Sequence, residues 1–240
     1  MIKNFKEKYI KNLFFYHIYR YFKFKFTYFK AYGATGEDVL LNKIFKKNFS
    51  GFYIDIGSLH PINGSLTYNL YQKGWNGINF DLLESNIRLF KTFRKRDLSK
   101  KIAVSSKSGY LDSFIFNTGS GLNTVEKKWA DKWSKIIKKK YAIKKIKKNT
   151  LNQIIEKYKI ANDIELLNID VEGHEIDVLK GINFNSFRPK IVAIEIHVNS
   201  TKEIFNTKIY SMLKKSRYEL ISHYYHTSFF KAKEFEIDGL

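Results

Sequence analysis

Two places in this 240-residue chain end an apolar run with an acid and then turn. One is Leu166-Leu167-Asn168-Ile169-Asp170-Val171-Glu172-Gly173-His174-Glu175, and the other is Phe52-Tyr53-Ile54-Asp55-Ile56-Gly57. Each apolar run reads as a buried strand, and a helical pattern follows it. Open α/β sheets place ligand sites at such carboxyl ends of strands. A third run reaches Glu195-Ile196-His197, where alternation puts Glu195 and His197 on one face. Asp170, Glu172, His174, Glu195 and His197 therefore form a candidate catalytic group. Such a group has two routes to activating a poor nucleophile such as an alcohol. His174 or His197 can take its proton. Alternatively, Asp170 with Glu172 or Glu195 can hold Mg²⁺ through oxygens, and the metal acidifies the hydroxyl. The sequence leaves both routes open. The plainer readings are an N-cap for Asp170 and surface or capping roles for the histidines.

The first strand end constrains the cofactor. Gly57 lets the backbone approach a ligand closely. A dinucleotide loop would add more glycines and a helix N-terminus for pyrophosphate. Here Ser58-Leu59-His60-Pro61 follows, and Asp55 stands where a pyrophosphate would be repelled. Both facts point to a cofactor without phosphates and with positive charge. S-adenosylmethionine, a nucleoside with a sulfonium and an ammonium, fits. The run Gly77-Ile78-Asn79-Phe80-Asp81 ends in an acid about two dozen residues after Gly57. That acid can accept both ribose hydroxyls. NAD would use the same acid, so the glycine pattern, not Asp81, separates the two cofactors. The simpler role for Asp81 is to cap the helix at Glu84-Ser85.

These residues need a scaffold of alternating strands and helices. Strands are predicted at Phe52–Ile56, Gly77–Asp81, Ile102–Ser105, Glu165–Asp170 and Lys190–His197. Helices are predicted at Gly64–Lys73, Glu84–Arg94, Thr124–Lys140, Thr150–Tyr158, Glu175–Lys180 and Lys202–Ser216. Such alternation implies a mostly parallel sheet with right-handed crossovers. Gly109–Asn117 reads as an added antiparallel strand. Tyr218–Ser222 and Ser228–Glu234 read as an antiparallel hairpin at one edge.

Composition sets the outer bounds. Hydrophobic residues make up 44% of the chain, enough for one domain's core, and the formal net charge is +20. That charge favours an anionic partner: nucleic acid, anionic lipid or an acidic glycan. The absence of cysteine excludes disulfides, thiolate metal sites and a cysteine nucleophile. No run has the apolar length of a membrane span. Charges throughout the first thirty residues, with no small-residue cleavage site after them, argue against a secretory signal. The expected location is cytoplasmic. Residues 1–32 form a basic, aromatic extension to a domain at 33–240. Phe5, Tyr9, Leu13 and Tyr16 share one helical stripe there, which suits peripheral contact with the inner membrane face. Lys132–Lys148 contains nine lysines and no acid, and it reads as a solvated helix face or a patch for an anion.

With these motifs assembled, the chain resembles the FkbM-type S-adenosylmethionine-dependent methyltransferases. The resemblance rests on Phe52–Gly57, Ser65-Leu66-Thr67-Tyr68-Asn69-Leu70, Gly74-Trp75-Asn76-Gly77 through Asp81, and Ala103-Val104-Ser105. It continues through Leu166–Glu175, Val178-Leu179-Lys180-Gly181, Arg188-Pro189-Lys190, Glu195 and His197. It covers about residues 35–200. It implies a class I methyltransferase sheet ordered 3-2-1-4-5-7-6, and methyl transfer to a hydroxyl, commonly of a sugar in surface glycan pathways. By resemblance, Asp55 and Gly57, with Ser58 after them, belong to the cofactor loop, and Asp81 is the ribose acid. Ala103 and Val104 lie near the adenine, and Asp170–Glu175 line the methyl-transfer site. Three features depart from the pattern: Leu59 and Pro61 in the first loop, Leu82-Leu83-Glu84-Ser85 after the ribose acid, and the basic N-terminus.

The leading expectation is an O-methyltransferase for a sugar hydroxyl of capsule, lipopolysaccharide or a precursor. A nucleic-acid methyltransferase is the alternative that charge alone favours. Base methyltransferases carry an Asn/Asp-Pro-Pro-aromatic box where this chain has Asp170-Val171-Glu172-Gly173, so nucleic acid is not the expected partner. The third reading is a non-catalytic domain that binds membrane or glycan.

Overall fold

The computed structural model describes residues 18–19, 21–22, 30–45, 50–160 and 163–237. The chain divides into two compact units, Met1–Ala31 and Tyr32–Leu240. In the first unit, Ile18, Tyr19, Tyr21 and Phe22 are helical, and the Tyr21 and Phe22 rings meet edge to face. The stripe from Phe5 to Tyr16 lies outside the described residues.

The second unit begins with helix α1 (Asp38–Ile44) and strand β1 (Phe52–Ile56). Helix α2 (Tyr68–Gln72), strand β2 (Asn76–Asp81), helix α3 (Glu84–Phe93) and strand β3 (Leu98–Lys101) follow. Next come β4 (Ala103–Val104), β5 (Gly109–Ile115), helix α4 (Lys127–Ile137), β6 (Ala142–Asn149) and helix α5 (Leu151–Tyr158). The chain then forms β7 (Leu166–Ile169), α6 (Glu175–Lys180), β8 (Ile191–Glu195) and a 3-10 turn at Thr201–Asn206. It ends with α7 (Lys208–Lys215), β9 (Tyr218–Tyr224) and β10 (Thr227–Ala232).

Seven strands form one sheet in the order β3-β2-β1-β7-β8-β10-β9. Strands β3 to β8 run parallel, and β10 is antiparallel to both β8 and β9. Numbered within this sheet, that is the 3-2-1-4-5-7-6 order the resemblance implies. The order reverses between β1 and β7, so the carboxyl ends of those strands open a crevice. The central strands are buried on both faces. Ile54, Ile56, Leu167, Ile169, Val192 and Ile194 pack on one side. Tyr53, Leu166, Ile191 and Ala193 pack with Trp75 on the other.

Three expectations change. Lys132–Lys148 is not one helix face. Helix α4 ends at Ile137 with Lys138 in the left-handed conformation (φ 54°), and Lys144, Lys145, Lys147 and Lys148 belong to β6. Pairing with β5 from Ala142 to Lys148 overrides the local helix preference of lysine. The resulting three-stranded sheet, β4-β6-β5, is a separate layer. The helix expected from Gly64 starts only at Tyr68, because residues 57–67 form the loop over the cleft. The last helix is broken at Thr207, whose hydroxyl caps α7 by accepting the Tyr210 N–H at 3.1 Å. Helix α5 follows its sequence signal closely, since Thr150 and Gln153 form a reciprocal capping box.

One cation braces the first loop from below. Arg94 is fully buried at the end of α3. Its Nε donates to the Pro61 carbonyl at 2.7 Å, its Nη1 to Thr67 Oγ1 at 2.7 Å and its Nη2 to Ser65 Oγ at 2.5 Å. Asp97 lies 3.7 Å away and accepts the Tyr53 hydroxyl at 2.6 Å. Removing one partner of such a buried pair strands the other charge, at a cost of about 3–5 kcal/mol. Urea unfolding of Arg94→Ala is expected to show a loss of that size, and a loss below about 1 kcal/mol would mean the loop does not depend on this cation.

Candidate active site

The site is built where three strand ends meet. The Gly57 and Ser58 N–H groups both donate to the Phe80 carbonyl at 3.0 Å, and the Asp170 N–H donates to the Ile56 carbonyl at 2.9 Å. Gly57 has φ +88°, and a β-carbon there would sit 1.6 Å from the Asp170 carbonyl oxygen. Only glycine permits this approach. A cleft of about 760 Å³, open solvent at its mouth included, begins at this junction. Its walls include Ile56, Phe80, Leu82, Ile102, Ala103 and Val104, with Asp81 on one side and Asp170 and Glu172 on another. A smaller cavity adjoins it through Gly57, Gly64 and Asp170, and is lined by Glu37, Asp55, Asn168 and Glu195.

The predicted cofactor residues fall into two groups. Asp81, Ala103, Val104 and Gly57 line the large cleft. Asp81 Oδ1 accepts from the Leu83 N–H at 2.7 Å and Asn86 Nδ2 at 3.0 Å, and Oδ2 accepts from the Leu59 N–H at 3.1 Å. A carboxylate offers about four acceptor positions, so Asp81 has room for one more donor rather than the two expected. Burial pushes its pKa up to about 6, against those three hydrogen bonds. Asp55 and Ser58 instead line the smaller cavity. Asp55 accepts from Asn168 Nδ2 at 2.9 Å and Thr67 Oγ1 at 2.8 Å, and burial raises its pKa. The Ser58 hydroxyl donates to the Phe80 carbonyl at 3.2 Å.

The predicted catalytic group splits as well. His174 has both ring nitrogens engaged: Nδ1 lies 2.6 Å from Glu126 Oε1, and Nε2 lies 3.0 Å from Ser105 Oγ. It is buried, and both nitrogens are held by these partners. Its wall position ties the loop after β4 to the start of α4. His197 is exposed, and its Nε2 lies 2.9 Å from Glu195 Oε1. Glu172 Oε2 accepts the Trp129 indole N–H at 2.8 Å, while the Glu172 carbonyl accepts from Thr124 Oγ1 at 2.8 Å. Glu172 and Gly173 take left-handed conformations in succession (φ 54° and 101°). A non-glycine residue there carries strain, and strain of this kind collects at functional sites.

The acids crowd one another. Asp170 lines both cavities and keeps an exposed surface, while protein closely surrounds its carboxyl. Burial, then Glu195, Glu172, Glu175 and Asp55, push its pKa well up. Burial also raises Glu172 and Glu175. Glu195 is pushed to about 9 by burial and by Glu172 and Glu175. Its Oε2 is buried and has no hydrogen-bond partner among the described residues.

The expected metal set was Asp170, Glu172 and Glu195. The donor atoms that converge are those of Glu172, Glu195 and His197, within 4.8 Å of one another. An imidazole and two carboxylates do not make the all-oxygen set that Mg²⁺ takes, and the imidazole is already bonded to one of the carboxylates. The residues therefore do not fit Mg²⁺.

A model of the FkbM methyltransferase domain matches residues 55–220. The chain belongs to this family. It is a methyltransferase, and the family implies S-adenosylmethionine as the methyl donor. No curated protein matches the sequence at a significant level. A solved structure described as a putative rRNA-methylase from Clostridium thermocellum matches with a TM-score of 0.41 and 10% identity. The match covers 85% of this chain and 96% of that one, and a likeness at that level bears on neither substrate nor mechanism.

Several residues that build the FkbM site carry weak sequence signals. Arg94 looks like one of many surface cations, and Trp129 is hidden among the lysines of α4. Ser105 and Glu126 meet His174 only through the fold. The Gly57 approach has a direct consequence. Gly57→Ala must move either the Asp170 carbonyl or the first loop, on top of an unfavourable φ. Its unfolding free energy is expected to drop by about 3 kcal/mol or more, as read by chemical denaturation, and a near-neutral result would show the junction to be pliable.

Proposed function

We propose that this chain is an S-adenosylmethionine-dependent O-methyltransferase acting on a sugar hydroxyl of a surface glycan or its precursor. The observation that carries the acceptor class is an aromatic ledge beside the acid cluster. The His197 ring centre lies 4.8 Å from that of Trp129 and 4.3 Å from that of His226, and His226 lies 4.1 Å from Tyr225. A pyranose has a C–H face that packs on such rings and a hydroxyl rim that seeks carboxylates. A site of this kind pairs broad apolar contact with a few placed polar groups.

The residues fit the cofactor. Apolar side chains at Leu82 and Ile102–Val104 suit a purine, and the remaining acceptor position of Asp81 suits one ribose hydroxyl. Glu37, Asp55, Asp170 and Glu195 line the smaller cavity and suit the α-ammonium. When bound, S-adenosylmethionine supplies an electrophilic methyl group on its sulfonium. The protein's work is then to place the acceptor oxygen and take its proton. His197 is the base in this reading. Burial lowers its pKa, so the ring is neutral at neutral pH. Glu195 Oε1 accepts the Nε2–H and leaves Nδ1 with the lone pair. Residues 1–32, rich in Lys and aromatics, suit an anionic membrane face where lipid-linked precursors are met.

Three measurements test this reading. Calorimetry is expected to show S-adenosylmethionine binding, and no binding by the folded protein would sink it. The ribose contact needs ionised Asp81, whose pKa is raised to about 6. Affinity is therefore present above pH 6 and falls as pH drops through it, by up to about tenfold per pH unit. Asp81→Asn is expected to bind weakly with a flat profile; a steep profile in that variant would assign the titration elsewhere. Finally, His197→Ala is expected to lower kcat by about 10²–10⁴-fold with cofactor binding retained, while excess EDTA leaves wild-type turnover unchanged. Inhibition by EDTA reversed by a divalent ion would replace the histidine base with a metal.

A further inference from the structure

The acceptor end of the site has a cation at its rim. Lys132 Nζ lies 4.8 Å from the centre of the Trp129 ring and 5.9 Å from that of Trp133. Contact with indole faces holds an ammonium in place without neutralising it. The one acid of α4, Asp131, is taken by Lys127 at 2.7 Å. Among the described residues no carboxylate forms an ion pair with Lys132. Lys128 and Lys135, at i−4 and i+3, share its helix face, and all three are exposed. A lysine-bearing helix face is ordinarily just solvated. Lys132 differs because it sits against the Trp129 ring that both stacks on His197 and holds Glu172. Burial lowers the His197 pKa, and the Lys132 charge adds to that against Glu172 and Glu175.

The ledge therefore carries opposite charges side by side. Asp170, Glu172, Glu175 and Glu195 crowd together, and Lys132 lies over the Trp129 ring whose indole N–H bonds Glu172. An anionic acceptor would be repelled by the acids and held by Lys132, which fixes which way round it lies. We propose that the acceptor is an anionic sugar, bearing a carboxylate or a phosphate, whose anion is held by Lys132 while its ring lies on the Trp129–His197 ledge. This rests on the sugar O-methyltransferase reading and narrows its substrate class. The reacting hydroxyl then projects away from the anion, toward His197 and the acids.

The test is turnover of methyl-labelled S-adenosylmethionine by the full chain with matched acceptors: galacturonic acid trimer against galactotriose, and glucose 6-phosphate against glucose. The anionic member of at least one pair is expected to show about tenfold higher kcat/KM, a difference of about 1.4 kcal/mol, that shrinks as salt rises. The pair that responds tells carboxylate from phosphate. Lys132→Ala is expected to erase the advantage through KM, and Lys132→Arg to keep it. Binding of S-adenosylhomocysteine to each variant reports an intact fold, and the wild-type comparison stands even if a variant does not fold. Equal or better use of the neutral sugars, or an advantage that survives Lys132→Ala, overturns the anionic acceptor and leaves the sugar reading intact. Cofactor binding with no turnover of any sugar overturns both.

Discussion

The contact between Gly57 and the Asp170 carbonyl is the constraint from which the rest of the site follows. Two parallel strands cross over to opposite sides of the sheet after β1 and β7, so their carboxyl ends must part. Here they part with no room for a β-carbon between them. The Gly57 and Ser58 N–H groups turn to β2, and the Asp170 N–H turns to β1. Three strand ends are thereby fixed relative to one another before any ligand arrives. The cleft and the smaller cavity share Gly57, Gly64 and Asp170 on their walls, so a shift of this junction would change both.

That rigidity allows an arrangement that would otherwise fly apart. Asp170, Glu172, Glu175 and Glu195 lie within one another's fields, with Asp55 beside Asp170, and burial pushes up the pKa of each. Like charges this close cannot all ionise. The protein answers with fixed donors: Asn168 and Thr67 to Asp55, Trp129 to Glu172, and the Val171 and Gly173 N–H groups to Glu175. Glu195 Oε2 is buried without a donor among the described residues, and burial with the neighbouring acids favours its protonated form. A carboxyl biased toward its acid form beside a histidine biased toward neutrality suits the movement of protons. The same crowding favours a positively charged ligand, which relieves it.

Features set by local pattern were legible in the sequence. The strand ends at Asp55, Asp81 and Asp170 announce themselves by an apolar run, an acid and a turn, and the helix at Glu175–Lys180 falls where its periodicity puts it. The strand order needed the family resemblance. Features set by distant partners were not legible. Whether His174 is a free base depends on Ser105 and Glu126, 69 and 48 residues away. How many donors Asp81 can still accept depends on the backbone of Leu59 and Leu83. The lysines after Ile137 read as helix because lysine tolerates helix, but β5 supplies a partner strand that no local window contains. Asp170, Glu172 and Glu195 do lie in one cluster. Which donor atoms converge is a matter of side-chain direction, and that brought in His197 instead of Asp170.

The division of labour between the two sheets follows from the same contacts. The seven-stranded sheet supplies Gly57, Asp81 and Asp170, which line the large cleft. The segment from β5 to β6 supplies Glu126 and Trp129, which hold His174 and Glu172, and Lys132, which lies over Trp129. Glu172 and His174 are where the two join: Thr124 and Trp129 hold the carbonyl and carboxylate of Glu172, and Glu126 holds His174. The strained turn at Glu172-Gly173 is thus clamped by Thr124 and Trp129, while Asp170, two residues before it, is held by β1. Strain persists only where the surroundings over-determine it. The Glu172-Gly173 turn of this methyltransferase is held in its unfavourable conformation by Thr124 and by Trp129 of α4. Changes at Trp129 must therefore act on the position of Glu172 as well.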